Sequence, residues 1–191
     1  MEASAIGWTP KARAVLAAAS ELFYAEGIHA VGVDAIAERA GVTKKTLYDR
    51  FGSKDRLVVE YLLDREQRWR DVLLPRLEAA GPDPGSRLTA IFDALASWSD
   101  DHGGKGCSMI NAHAEISDPS HPAYAVIIEQ KRWTLALFAE LARDSGAADP
   151  DAVADDLMIL HEGALVAAGM GVVPSAYERA RGAALRRLRA G

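Results

Sequence analysis

Residues 33–51 read VDAIAERAGVTKKTLYDRF. Ile36, Ala37 and Ala40 line one apolar face of a short helix predicted from about Val33 to Ala40, and the small Ala37 lets a second helix cross closely. Gly41 stands where the chain must turn sharply, a position that favours φ > 0 and hence glycine. Thr43 caps a second helix, KKTLYDRF, which Val42, Leu47 and Phe51 anchor and Gly52 ends. Lys44, Lys45, Thr46, Tyr48 and Asp49 are then left largely outward. This is the spacing of a helix–turn–helix, about 33–52. A helix presented so can enter the major groove of DNA with its N-terminal side chains at base edges. An ordinary αα-hairpin in a helical core has the same apolar pattern.

Helical punctuation continues on both sides. Thr9-Pro10 places a capping side chain before a proline whose missing N–H costs nothing at a first helical position. Val15, Ala19, Leu22 and Phe23 follow at helical spacing, and Gly27 ends the run. Ser53 caps a long helix through Leu57, Tyr61, Leu62 and Trp69 toward Ala80. GPDPGS at 81–86 breaks it. Further helices are predicted from Arg87 to about Ser99, from about Cys107 to Ile116, and from Ala123 to about Arg143. Asp149-Pro150 opens another, and Ser175 with Glu178 forms a capping box for the last. No segment alternates as a strand does. The expected fold is all-α with about nine helices, a domain over 9–55 and a second over 56–191.

The single cysteine among 191 residues excludes a disulfide framework and points to a reducing, cytoplasmic setting. No apolar run is long enough for a membrane span, and MEASAIGWTPKAR has no leader pattern. The net charge of −5 does not suggest a nucleic-acid partner. Its distribution is more informative: Lys44, Lys45, Arg50, Lys54 and Arg56 cluster against only Asp49 and Asp55, a place where an anion can be met, although charge alone fits an ordinary solvated helix face better.

The segment from Lys11 to Leu62 resembles the TetR family of transcriptional regulators. Carrying the resemblance are Ala18-Ala19-x-x-Leu22-Phe23, Gly27, Ile36-Ala37-x-x-Ala40-Gly41-Val42-Thr43, Thr46-Leu47-Tyr48-x-x-Phe51, Ser53-Lys54 and Leu57. It implies a homodimeric repressor with an N-terminal DNA-binding domain and a C-terminal domain for ligand binding and dimerisation. At matching positions it implies phosphate contacts from Tyr48 and Lys54, and from Thr43 beside its capping role. Lys44, Lys45 and Thr46 fall at the front of the reading helix, where lysine can meet guanine and the threonine methyl a thymine. Two departures stand out. Gly32 replaces the usual Ser or Thr cap of the first motif helix. Asp49 either accepts from a cytosine amine or pairs with a neighbouring lysine.

The remainder is chemically quieter. Trp69, Trp98, Met109 and Trp133 are spread over four predicted helices, and with His113 and His161 they are the candidate lining of an effector pocket. Plain core packing explains each aromatic equally well. Asn111, Glu115, His102, His121 and Glu162 are further polar positions. His113 and Glu115 do not share a helix face, and His161-Glu162 lacks the second histidine of a zinc motif, so neither a metal nor a cofactor is expected. Cys107 is either a filler or a thiol activated at a helix start. Val153, Leu157, Leu160, Ala164 and Ala167 recur as a coiled-coil-type seam on a helix apolar nearly all round, the candidate dimer interface, although a fully internal helix of a monomer has the same pattern.

The expected function is therefore a DNA-binding regulator, a repressor released from double-stranded operator DNA by a small apolar ligand. The competing class is a helical enzyme using the His, Cys and Glu residues of the C-terminal region. No nucleophile–base–orienter set supports it.

Overall fold

The computed structural model describes residues 6–102 and 104–190; Met1–Ala5, part of the stretch inspected for a leader, lie outside them. Among the described residues there are nine helices and no strand. They are α1 (Pro10–Glu26), α2 (Val33–Arg39), α3 (Lys44–Phe51), α4 (Lys54–Ala79), α5 (Pro84–His102), α6 (Ser108–Glu115), α7 (Pro122–Asp144), α8 (Pro150–Gly169) and α9 (Ala176–Ala190). None is long and apolar enough to cross a membrane.

Four helices start with a polar side chain directly before a proline, α7 through His121, whose Nδ1 accepts from the Ala123 N–H at 3.1 Å, and the other three through Thr9, Asp83 and Asp149. Thr9 Oγ1 accepts from the Ala12 N–H at 3.3 Å, Asp83 Oδ2 from Ser86 at 2.7 Å and Asp149 Oδ1 from Ala152 at 3.1 Å. The second case moves the start of α5 from the expected Arg87 to Pro84, because Asp83-Pro84 inside GPDPGS is itself a cap. The capping box at Ser175 does not form. Ser175 has φ +54, left-handed rather than the extended backbone a cap requires.

The chain divides into two compact units. One runs to Arg65 and includes Ser108–Ile127, so α6 and the first turn of α7 group with the helix–turn–helix. The other comprises Glu66–Cys107 and Ile128 onward. In the first, Val15, Phe23, Ile36, Leu47, Leu57 and Tyr61 are buried, with the Phe23 and Tyr61 rings 5.6 Å apart. In the second, the core gathers Leu73, Leu88, Phe92, Phe138, Leu141, Val153, Leu157 and Leu188. There α9 packs on α8 and α5. Arg187 Nε reaches Asp156 at 2.5 Å, and Arg181 pairs with Asp93.

The orientation of α8 corrects the expected interface. Val153, Leu157 and Ala164 are 0%, 0% and 4% exposed, turned into the core of their own unit, with Leu160 and Ala167 half-buried. The reason is geometric: Val153, Leu157 and Ala164 share the stripe that meets α5, α7 and α9 residues in one cluster. The free apolar face is the opposite one, with Ile159 70%, Val166 43% and Met170 69% exposed, continued by Val172 and Val173. At the end of α8, Gly169 lies against the loop before α6. A Cβ there would stand 2.8 Å from the Gly106 backbone nitrogen.

Candidate nucleic-acid interface

The turn between α2 and α3 is closed by main-chain bonds, Gly41 N–H to Glu38 O at 3.1 Å and Val42 N–H to Ala37 O at 3.0 Å. Gly41 has φ +64, the left-handed value its place in the sequence requires. Thr43 caps α3: its Oγ1 accepts from the Thr46 N–H at 3.1 Å and shares a hydrogen bond with the Thr46 hydroxyl at 2.9 Å. Gly32 precedes α2 without a side-chain cap bond. Leu47 and Phe51 are buried on one side of α3, with the edge of Trp8 against the Phe51 ring. One helix face is thus fixed, and the other is presented.

On the presented face, Thr43, Lys44, Lys45, Tyr48 and Asp49 are exposed and Thr46 half-buried. Lys45 Nζ stands 3.8 Å from Asp49 Oδ2, so the acid pairs with its neighbour one turn back. Lys44 Nζ is held at 3.1 Å by Asp34 Oδ2 of α2, a contact between motif helices that the sequence reading missed. Both pairs are well exposed, hence weak and readily exchanged for phosphate or base. Lys54 heads α4, with its Nζ 5.9 Å from the centre of the Phe23 ring. The residue is half-buried, and an ammonium near an aromatic face keeps its charge, which suits a phosphate contact.

The six candidate pocket residues are divided between the two units. Met109, buried, and His113, exposed and tilted against Tyr124, belong to the first unit. Trp69, Trp98, Trp133 and His161 belong to the second. There the Trp69 and Trp98 rings meet edge-on at 5.7 Å, and His102 stacks on Trp98 at 3.7 Å. Arg70 covers the Trp133 ring at 4.2 Å, and His161 is buried against Phe92 and Phe138.

A charged network that the sequence reading missed runs beside these rings. Lys131 Nζ donates to both oxygens of Glu162 at 2.9 and 3.0 Å and to Cys107 Sγ at 3.3 Å. Glu162 Oε1 is also 3.0 Å from His161 Nδ1. Arg70 Nε donates to Glu66 at 2.6 Å, and Gln130 to the Thr134 hydroxyl at 3.1 Å. Burial pushes the Glu66 carboxyl up despite Arg70. Burial pushes Glu162 the same way, but His161 and Lys131 outweigh it and hold its pKa below the ordinary value. Lys131 is raised, since Cys107 and Glu162 more than offset its burial. The signal for Lys131 in the sequence is a lysine two positions before Trp133 on a helix carrying Ile127 and Ile128. The cysteine thereby meets an ammonium and not a base. Among the described residues no three His, Cys, Asp or Glu side chains converge as metal ligands.

Comparison with known proteins gives a consistent result. Residues 15–61 match the model for bacterial regulatory proteins of the tetR family, and residues 84–184 that for the tetracyclin repressor-like C-terminal domain. The HTH-type transcriptional activator FasR of Mycolicibacterium smegmatis is 36% identical over 135 residues, 69% of this chain. The chain spans only 59% of that activator's length. The HTH-type transcriptional regulator LmrA of Bacillus subtilis is 26% identical over 71% of this chain and 72% of its own. The crystal structure of a TetR-family transcriptional regulator from Streptomyces coelicolor superposes with a TM-score of 0.83 at 29% identity, covering 95% of this chain and 93% of that one.

Proposed function

Because the chain belongs to the TetR family of bacterial regulatory proteins, we propose that α3 reads the major groove of double-stranded operator DNA and that two copies act together as a ligand-responsive repressor in the cytoplasm. The observation that carries the proposal is the exposed row Thr43, Lys44, Lys45 and Tyr48 on a helix whose opposite face, Leu47 and Phe51, is buried. Thr43, Tyr48 and Lys54 hold phosphates; Lys44, Lys45 and Thr46 meet base edges. Asp49 tempers Lys45 through their pairing. Residues 9–55 carry DNA binding, and 56–191 carry ligand binding and dimerisation.

The second copy packs on the outer face of α8, Ile159, Val166 and Met170, whose exposure is otherwise a cost. The effector is a small, mainly apolar molecule oriented by one polar group, held near Trp69, Trp98, Trp133 and His161. It acts by binding one arrangement of the dimer better than the other. A dimer whose reading helices no longer match one turn of B-DNA, about 34 Å, loses a half-site. FasR is named an activator, so activation is the second reading.

Selection of duplexes from a random pool by the purified protein tests the DNA reading. Enrichment of a two-fold symmetric site is expected, and an unenriched pool would sink it. A reporter carrying that site separates repression from activation. Apolar compounds found by thermal shift, titrated with and without operator, test the effector. By linkage, ligand and operator must weaken each other by one factor; a stabilising compound that leaves operator affinity unchanged refutes that pocket as the switch.

A further inference from the structure

Glu115, the last residue of α6, makes a link that the reading helix does not explain. Its two oxygens accept from the backbone N–H groups of Ile28 at 2.8 Å and His29 at 2.6 Å. These consecutive amides lie in the turn from α1 to α2 and form a concavity of the kind that receives an anion. Here the anion is the chain's own carboxylate. Gly27 shows the closeness of the fit from the other side: its φ is +96, and a Cβ would stand 3.1 Å from Glu115 Oε1. His29 Nδ1 adds a looser contact at 3.7 Å.

We infer that Glu115 is a positioning residue for operator reading. It fixes the α1–α2 turn by its main chain, and so the seat of α2, against which α3 packs. The turn is anchored on its inner side by Ile28 and Val31, 5% and 2% exposed, and on its outer side by this carboxylate alone among the bonds described for Ile28 and His29. Losing the carboxylate therefore loosens the turn while the buried side chains keep the unit folded. The inference rests on the operator-binding reading above.

The test compares the full-length parent with E115Q and E115A on the selected duplex and on a scrambled duplex of equal length at one salt concentration. Glutamine keeps the shape but sets an NH2 group against one of the two N–H donors. Both variants should keep the parent's helicity and thermal midpoint. Amide exchange at Ile28 and His29 should quicken by at least about tenfold. Affinity for the selected duplex should fall about tenfold, while that for the scrambled duplex, governed by phosphates, stays within about twofold. E115Q binding the selected duplex as the parent does overturns the inference. So does a loss on both duplexes that tracks a falling midpoint, the mark of a mere brace. A parent that cannot distinguish the duplexes strikes instead at the operator reading itself.

Discussion

Lys44 at the front of α3 is held by Asp34 of α2, Nζ to Oδ2 at 3.1 Å, across the turn of the motif. If α3 reads DNA as proposed, the ammonium is parked beside its point of use by a carboxylate that also meets the approaching phosphates. Asp34 is 78% exposed on its side chain, so the pair is cheap to open and screened by salt.

Asp34→Asn should therefore raise affinity for every duplex by roughly two- to fivefold at low salt. The gain should shrink as salt is added. Fluorescence anisotropy on selected and scrambled duplexes checks it, and an affinity that drops would mean Asp34 orders Lys44 more than it repels DNA.

Positioning and readout separate by residue. Tyr48→Phe and Lys54→Ala should weaken all sequences alike. Lys44→Ala should relax preference at particular base pairs, costing about 1–3 kcal/mol at a matched site. A specificity profile of Lys44→Ala that overlays the parent's removes that lysine from base reading.

The two faces of α8 should respond differently to charge. Leu157→Lys, at a fully buried position, should unfold the chain. Ile159→Lys with Met170→Asp should leave helicity intact and yield monomers, as read by sedimentation. Persistence of the parent's dimer in that double variant would place the interface elsewhere.

Glu162→Gln should destabilise the protein at neutral pH by about 1–3 kcal/mol, because Lys131 loses its carboxylate. The sign with pH follows from the lowered Glu162 pKa. Its contribution is full above the ordinary 4.5 and is lost as pH falls through the lowered folded value. Lys131 is raised, so its share is full below 10.5 and lost as pH rises through the folded value. Denaturant melts of parent and variant should converge in acid. A gap that stays constant from neutral to strongly acid pH would show that charge is not what the pair contributes.

The helix–turn–helix was legible because its information is local: small Ala37, left-handed Gly41, the Thr43 cap and the Leu47–Phe51 anchor all act within a few residues. The exposure of Lys44, Lys45 and Tyr48 follows from the same spacing. Asp34, Glu115 and Lys131 were not legible as partners, since each meets groups on another segment of the chain and no spacing rule joins them. The seam on α8 failed for a different reason. A helix apolar nearly all round fits a coiled-coil repeat on more than one stripe, and only the neighbours α5 and α9 decide which stripe is inside. Asp83-Pro84 was readable, being the same cap as Thr9-Pro10, but the glycines around it were read as a break.

The contact at Gly169 has a consequence for mutational tolerance. A methyl group there would stand 2.8 Å from a backbone nitrogen rather than from a side chain that could swing aside. In a saturation library scored for folded protein, this position should admit no replacement, alanine included, despite lying at an exposed helix end where alanine is ordinarily the favoured residue. Gly182 on α9 is its counterpart: a Cβ there meets only the tip of Arg186 at 3.5 Å. Substitution at Gly182 should be neutral or stabilising. Two glycines, both in helices and indistinguishable by composition, would then mark the opposite ends of that library's scale.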